Sequence, residues 1–255
     1  METARRAKPL ASLRMRDAAE LGTVLGVWAH PDDDIYLSAG LMAMAVEAGQ
    51  RVVDVTATHG EGGSMDEEKW PPASMGEVRT KELLRSLDVL GVKEHHFLEG
   101  PIDIDMDTGL DPAGADQVRQ IMQEVDPDTV LTFGPEGMTG HVAHKDVSRW
   151  AGEAFAQVAK PGAGLYHAVF PKSMAEDWLD KLAPFDIFRP GTPNVVADEA
   201  MDLYFELPTG LLDRKIVSIK EHASQIEALY EVFGDDGFRQ FMAKEGFVLA
   251  ATKEP

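Results

Sequence analysis

Unbroken apolar runs alternate along most of the chain with stretches whose apolar residues recur every three or four positions. Short continuous apolar runs predict strands buried on both faces, and the longer periodicity predicts helices that cover them. Residues 23–29 (TVLGVWA) form the first such run, followed by residues 51–58 (RVVDVTAT), 95–98, 128–133 (DTVLTF) and 164–170 (GLYHAVF). Between the first two, Leu37, Leu41, Met44 and Ala45 lie on one helical stripe that Gly49 ends, with Met42 and Met44 read as core filler. Val78, Leu83, Leu84, Leu87 and Leu90 give a helix over 76–90 its apolar face, and Gly91 stops it. Residues 114–125 and 141–158 are helical by the same criterion, the second closed by Lys160-Pro161-Gly162.

Beyond residue 170 the pattern loosens to a strand at 202–207, a helix at 211–230, a short helix after Asp236 and a last strand at 247–250. Strands alternating with helices predict the α/β class: a Rossmann-like, mostly parallel sheet with helices on both faces. No linker or repeat interrupts the chain, so residues 21–255 read as one domain with a smaller C-terminal portion of strand and helix. Residues 1–20 carry Arg5, Arg6, Lys8, Arg14 and Arg16, broken up by Glu2, Asp17 and Glu20. They read as a solvated arm and a candidate contact for a homo-oligomer.

Charge and composition narrow the chemistry. The 255 residues hold 44 Asp and Glu against 24 Lys and Arg, a net charge of -20. That excess argues against nucleic acid and anionic lipid as partners, since both demand a basic face. The longest uncharged stretch, residues 35–46, falls short of the roughly 20 apolar residues that span a membrane. No apolar segment follows the basic N-terminus, and a soluble, cytoplasmic protein is expected. With no cysteine, any transition metal must be held by His, Asp or Glu.

Three unusual segments follow predicted strands: Ala29-His30-Pro31-Asp32-Asp33-Asp34, Thr58-His59-Gly60-Glu61-Gly62-Gly63 and Gly140-His141-Val142-Ala143-His144. In an open parallel sheet, ligands bind beyond the carboxyl ends of the strands, so all three meet at one edge. Three acids on one turn exceed what a helix cap requires, and they repel one another unless a cation sits among them. Two histidines three apart share a helical face. A His/Asp pair from one turn and a His from another make three N/O ligands, the count for a catalytic zinc with an open fourth position. Residue type alone does not divide the roles of Asp32 and Asp33.

AHPDDD, with GHVAH about 110 positions later, resembles the LmbE-like (PIG-L) zinc-dependent de-N-acetylases, whose signature is A-H-P-D-D-E early and H-x-x-H late. The segment from Gly76 through Glu82 to Gly91, the loop Thr58-His59-Gly60-Glu61 and the segment Lys220–Gln225 are similar to further family motifs, so the resemblance spans roughly residues 22–250. It implies that His30, Asp33 and His144 bind the metal, Zn²⁺ or Fe²⁺, and that Asp32 is general base toward the water. It further implies that His141 stabilises the oxyanion and protonates the departing amine, while Arg79 and Asp103 contact substrate. The implied reaction removes the N-acetyl group of an N-acetylglucosamine-containing small molecule, a glucosaminide or a thiol-pathway precursor or conjugate, as acetate.

The chain departs from the family at Asp34, where Glu is usual, and at Val142-Ala143, which replace Pro-Asp. Thr139 stands where some members have a tyrosine. Two other readings compete: a phosphoryl-transfer enzyme whose acidic turn holds Mg²⁺, and a catalytically silent sugar- or metal-binding module. Imidazole donors favour zinc over magnesium. A silent module needs neither Asp32 nor His141.

Overall fold

In the computed structural model, which describes residues 20–254, five parallel strands form the centre of the molecule: β1 (Val24–Trp28), β2 (Val52–Thr56), β3 (Glu94–Phe97), β4 (Thr129–Phe133) and β5 (Gly164–Ala168). β1, β2 and β4 are buried at every residue, as their continuous apolar runs predict. The crossovers are α1 (Asp33–Glu47), α2 (Met75–Leu90), α3 (Ala113–Val125) and α4 (Val142–Val158). α1 and α2 pack together on one face and α3 and α4 on the other, so the expected α/β architecture is present. The expected arm at residues 1–20 falls almost wholly outside the described residues.

The strand order is β3-β2-β1-β4-β5-β9-β8, where β8 (Leu203–Glu206) and β9 (Lys244–Thr252) are antiparallel additions to the same sheet. From β1 the chain runs outward through β2 to β3, then crosses back to β4 on the other side of β1. This topological switch opens a crevice at the carboxyl ends of β1 and β4. The loops after β1, β2, β3 and β4 all converge there. Among the described residues, no helix is long and apolar enough to cross a membrane.

The C-terminal third differs from the sequence expectation. A two-residue strand β6 (Phe170–Pro171) pairs with β7 (Val195–Val196), and α5 (Lys172–Leu182) lies between them, where no element was predicted. Its stripe of Met174, Trp178 and Leu182 is buried. The single helix predicted over 211–230 is two, α6 (Thr209–Lys220) and α7 (Ala223–Phe241). The break has a polar cause: Glu82 of α2 accepts hydrogen bonds from the Ser224 amide (2.9 Å) and hydroxyl (2.6 Å), satisfying the new N-terminus. α7 then runs through a non-helical Gly234 into the short helix predicted after Asp236.

α2 also shows which of its faces is buried. Leu84, read as part of its apolar face, is 50% exposed, whereas Arg79, Glu82 and Ser86 are buried. Ser86 and Ser218 hydroxyls pair at 2.8 Å, so α2 docks on α6 through a polar stripe as well as through leucines. On β9, buried Glu245 accepts from Lys215 Nζ (2.7 Å) and from the Gly40 and Leu41 amides of α1. An ion pair so fully desolvated persists only because further hydrogen bonds satisfy its remaining polar groups.

Candidate metal and catalytic site

β1 ends at Trp28, and the turn His30-Pro31-Asp32 feeds α1. Asp32, the N-cap residue, has φ 116°. A non-glycine residue rarely takes that conformation, and it costs on the order of 1–3 kcal/mol. The turn directs His30 and Asp33 toward the start of α4, where His144 lies in the first turn of the helix. His30 Nδ1 is 3.0 Å from His144 Nε2 and 3.5 Å from Asp33 Oδ2, and His144 Nε2 is 3.4 Å from Asp33 Oδ1. All three side chains are buried.

Hydrogen bonding assigns the protons. His144 Nδ1 donates to the Gly137 carbonyl (2.9 Å), which can only accept, so Nε2 carries a bare lone pair. The Thr139 hydroxyl lies 3.3 Å from the same Nδ1, and the Phe133 ring stacks on the imidazole at 4.2 Å. His30 Nδ1 must then be the donor toward His144. Burial alone would lower the His30 pKa, but Asp103 and Asp33 outweigh it and raise it to about 9. Burial pushes His144 down to about 4. Burial would raise Asp33, yet His144 and His30 hold it below the usual carboxylate range.

The cluster brings two imidazoles and a carboxylate to one locus, and positive charge is held there as His30 protonated on both ring nitrogens. A divalent ion at that locus would displace the Nδ1 proton. Two zinc–nitrogen bonds of about 2.0–2.1 Å at a tetrahedral angle separate their nitrogens by about 3.3 Å. The observed 3.0–3.5 Å spacings match that geometry, and the donor set of two imidazoles and one carboxylate suits zinc or iron better than magnesium.

Around these three residues lies a cavity of about 450 Å³ that Asp32, Arg79, Asp103 and His141 also line. Burial raises Asp32 to about 7, against the pull of Arg79. His141 caps α4, its Nδ1 accepting from the Ala143 amide (3.2 Å), so its Nε2 bears the hydrogen. Burial and then the charge on His30 push His141 down to about 4. It is a neutral donor at physiological pH. Asp103 Oδ1 lies 3.3 Å from His30 Nε2 and 3.8 Å from His141 Nε2, and neither it nor His30 Nε2 has an aligned hydrogen bond. One carboxylate oxygen thus faces both imidazoles.

Arg79 is only 4% exposed. Its guanidinium donates to the Pro31 carbonyl (2.7 Å) and the Gly60 carbonyl (3.3 Å) and lies 3.4 Å from Asp32 Oδ1. The glycines of the loop after β2 make room for it, since a Cβ on Gly60 or Gly63 would lie 2.3 Å from Arg79 Nη1. Gln225 donates to the Gly63 carbonyl and steadies the same loop. Asp34, next to Asp33, is buried with neither oxygen paired, and burial beside Asp54 raises its pKa well above the usual carboxylate value. Glu82 entered the sequence reading only as the last residue of the segment from Gly76, with no role of its own, and the Gly137 carbonyl was not singled out.

His222 lies behind this layer, fully buried with neither ring nitrogen hydrogen-bonded. Burial, then Arg79 and Arg85, push its pKa down to about 3. The folded protein keeps it neutral while the unfolded chain protonates it near 6.5. Stability is therefore lost as pH falls below 6.5, at about 1.4 kcal/mol per unit from this residue. His222→Gln is expected to flatten the acid limb: in urea unfolding, wild type loses about 2 kcal/mol more than the variant between pH 7 and pH 5.

The profile of the PIG-L family, described as GlcNAc-PI de-N-acetylase, matches residues 25–155. A 1D-myo-inositol 2-acetamido-2-deoxy-alpha-D-glucopyranoside deacetylase of Kineococcus radiotolerans is 31% identical, over 85% of this chain and 72% of its own length. N,N'-diacetylchitobiose deacetylase of Pyrococcus horikoshii superposes with a TM-score of 0.63 at 19% identity, covering 92% of this chain and 86% of that one. The 4-carboxy-2-hydroxymuconate hydratase of Pseudomonas putida KT2440 gives 0.62 at 17%, covering 92% and 98%, so the fold alone does not name a reaction. The profile match over half of the chain does name a lineage: the protein belongs to the PIG-L family.

Proposed function

We propose that the protein is a zinc-dependent amide hydrolase that removes the N-acetyl group from an N-acetylglucosamine-containing small molecule, with Fe²⁺ as the alternative ion. The observation that carries this reading is the closure of His30, Asp33 and His144 around one locus, inside a cavity that also holds Asp32 and His141. The deacetylase relatives support a glucosaminide as the substrate class, and the inositol in the name of the Kineococcus relative supports a small polar aglycone.

His30, Asp33 and His144 would hold the ion, which when bound supplies Lewis acidity toward a water and an amide carbonyl. Asp32 is the proton carrier. With a pKa near 7 it accepts a proton from the attacking water and returns it to the departing nitrogen. The resemblance assigned that second transfer to His141, but His141, neutral with a pKa of about 4, is poorly suited to make it. His141, neutral and protonated at Nε2, donates a hydrogen bond to the developing oxyanion. Arg79 positions Asp32 and ties the turn at Pro31 to the loop at Gly60. The amine leaves protonated, and acetate is the other product.

Asp103 positions His30 and His141 through its single shared oxygen. Asp103→Asn is expected to lower metal affinity or kcat/KM about 10–100-fold. Competition with a chromophoric chelator measures the first and steady-state kinetics the second. The function itself is tested by acetate release from a panel of N-acetylglucosaminides, using purified protein loaded with Zn²⁺. Hydrolysis that vanishes on chelation and returns with Zn²⁺ is the expected result, and no acetate from any member would overturn the reading.

A further inference from the structure

The cavity has two chemically unlike ends. Near the loops after β2 and β3 it is walled by Asp103, Asp105, Arg79, Ser64 and Gln225, with Met65 and Met106 the apolar side chains among them. Toward α5 and α7 it is walled by Phe170, Met174, Leu182, Phe188, Leu229 and Phe241. The charged groups at that second end are engaged or turned to solvent: Glu245 pairs with Lys215, Lys244 donates to the Ser173 hydroxyl, and Asp186 is exposed.

Behind this apolar end the rings brace one another. Phe170 meets Phe188 edge-on at 5.9 Å, and Phe233 contacts Phe185, Phe241 and Trp178 at 5.1–6.0 Å. A close-packed interior would fill a space so lined, because an apolar void forfeits dispersion contacts on every wall. An acetyl group presents a single methyl to it. The whole cavity, both ends and the reacting centre together, is about 450 Å³, in the range of pockets that enclose drug-sized ligands.

An N-acyl amine sends its two substituents away from the reacting carbonyl in opposite directions. The hydroxyl-bearing amine matches the polar end, which leaves the apolar end for the group on the carbonyl carbon. We propose that this site accepts and prefers medium-chain fatty acyl groups, acetyl being the short limit of its range. The inference rests on the amide hydrolysis proposed above. Water adds to the acyl carbon and the C–N bond breaks. The products are a fatty carboxylate and a protonated amino sugar, with no other co-reactant.

Two substrate series test it with the full chain loaded with Zn²⁺: N-acetyl, N-butanoyl, N-hexanoyl and N-octanoyl glucosamine, and alkyl glycosides of N-acetylglucosamine with the same chain lengths. The expected result is kcat/KM rising about fourfold per methylene along the acyl series until the chain fills the cavity. Ala228 lines the cavity from α7 and is exposed, so a larger side chain there has room to fold. Ala228→Trp is expected to cut the octanoyl-to-acetyl ratio at least tenfold. Titration of octanoate against acetate gives a readout free of turnover, with octanoate binding more tightly. Acetyl hydrolysis with a flat or falling acyl series, or a rise along the glycoside series instead, would overturn the proposal and leave the deacetylase reading standing. No hydrolysis of any member would overturn both.

Discussion

Replacing Asp32 by asparagine lowers turnover about 10²- to 10⁴-fold and leaves metal content at the wild-type level, the loss expected when a positioned proton carrier is removed. Asparagine keeps the shape of the side chain and is among the few residues that tolerate a positive φ, so the turn survives. It keeps an acceptor for Arg79, 3.4 Å from Asp32 Oδ1, but it cannot take a proton from water. Asp32 is not among the three side chains that would hold the ion. Metal analysis and kcat on the same preparation make the check. Loss of metal together with activity would reassign Asp32 as a ligand, and unchanged turnover would remove it from the mechanism.

His144→Ala has the opposite signature. It deletes a nitrogen that faces both His30 and Asp33, and it leaves the Gly137 carbonyl without the Nδ1–H that it accepts. Loss of an outer partner of a metal site costs about 10–100-fold in affinity, and loss of a ligand costs more. Occupancy after equilibrium dialysis is expected to fall at least about 100-fold, with kcat/KM falling in step. Full activity with wild-type metal content would refute the proposed metal site. The two variants separate holding the ion from using it.

The turn after β1 and the helix after β4 were legible because their residue types are costly to place without a purpose. Three acids on one turn and two histidines on one helical face both follow buried strands, and the parallel topology brings them together. Arg79 was harder to place. On a helix with apolar periodicity an arginine reads as solvated, and only the glycines at 60 and 63 disclose that a guanidinium occupies the space beside them. Asp103 lies in an acidic loop like any other. Its position depends on that loop packing against the loop after β2, where the Ile104 carbonyl would lie 2.4 Å from a Cβ on Gly62.

The apolar end of the cavity was not legible at all. Met174, Trp178 and Leu182 have the spacing of an ordinary core stripe, and sequence does not distinguish an apolar side chain that packs against protein from one that borders a void. The split between α6 and α7 was hidden for a related reason. The group that caps α7 is Glu82, 142 positions earlier in the chain.

The backbone at Asp32 carries a consequence for how such a protein changes over generations. At φ 116° the relaxed residue is glycine, which takes that conformation freely. Exchanging the acid for glycine would relieve that strain, so the backbone would gain at the residue proposed to carry the proton. Once selection for the reaction lapses, thermodynamics favours erasing it here first, leaving sturdier descendants that bind the metal and do nothing with it.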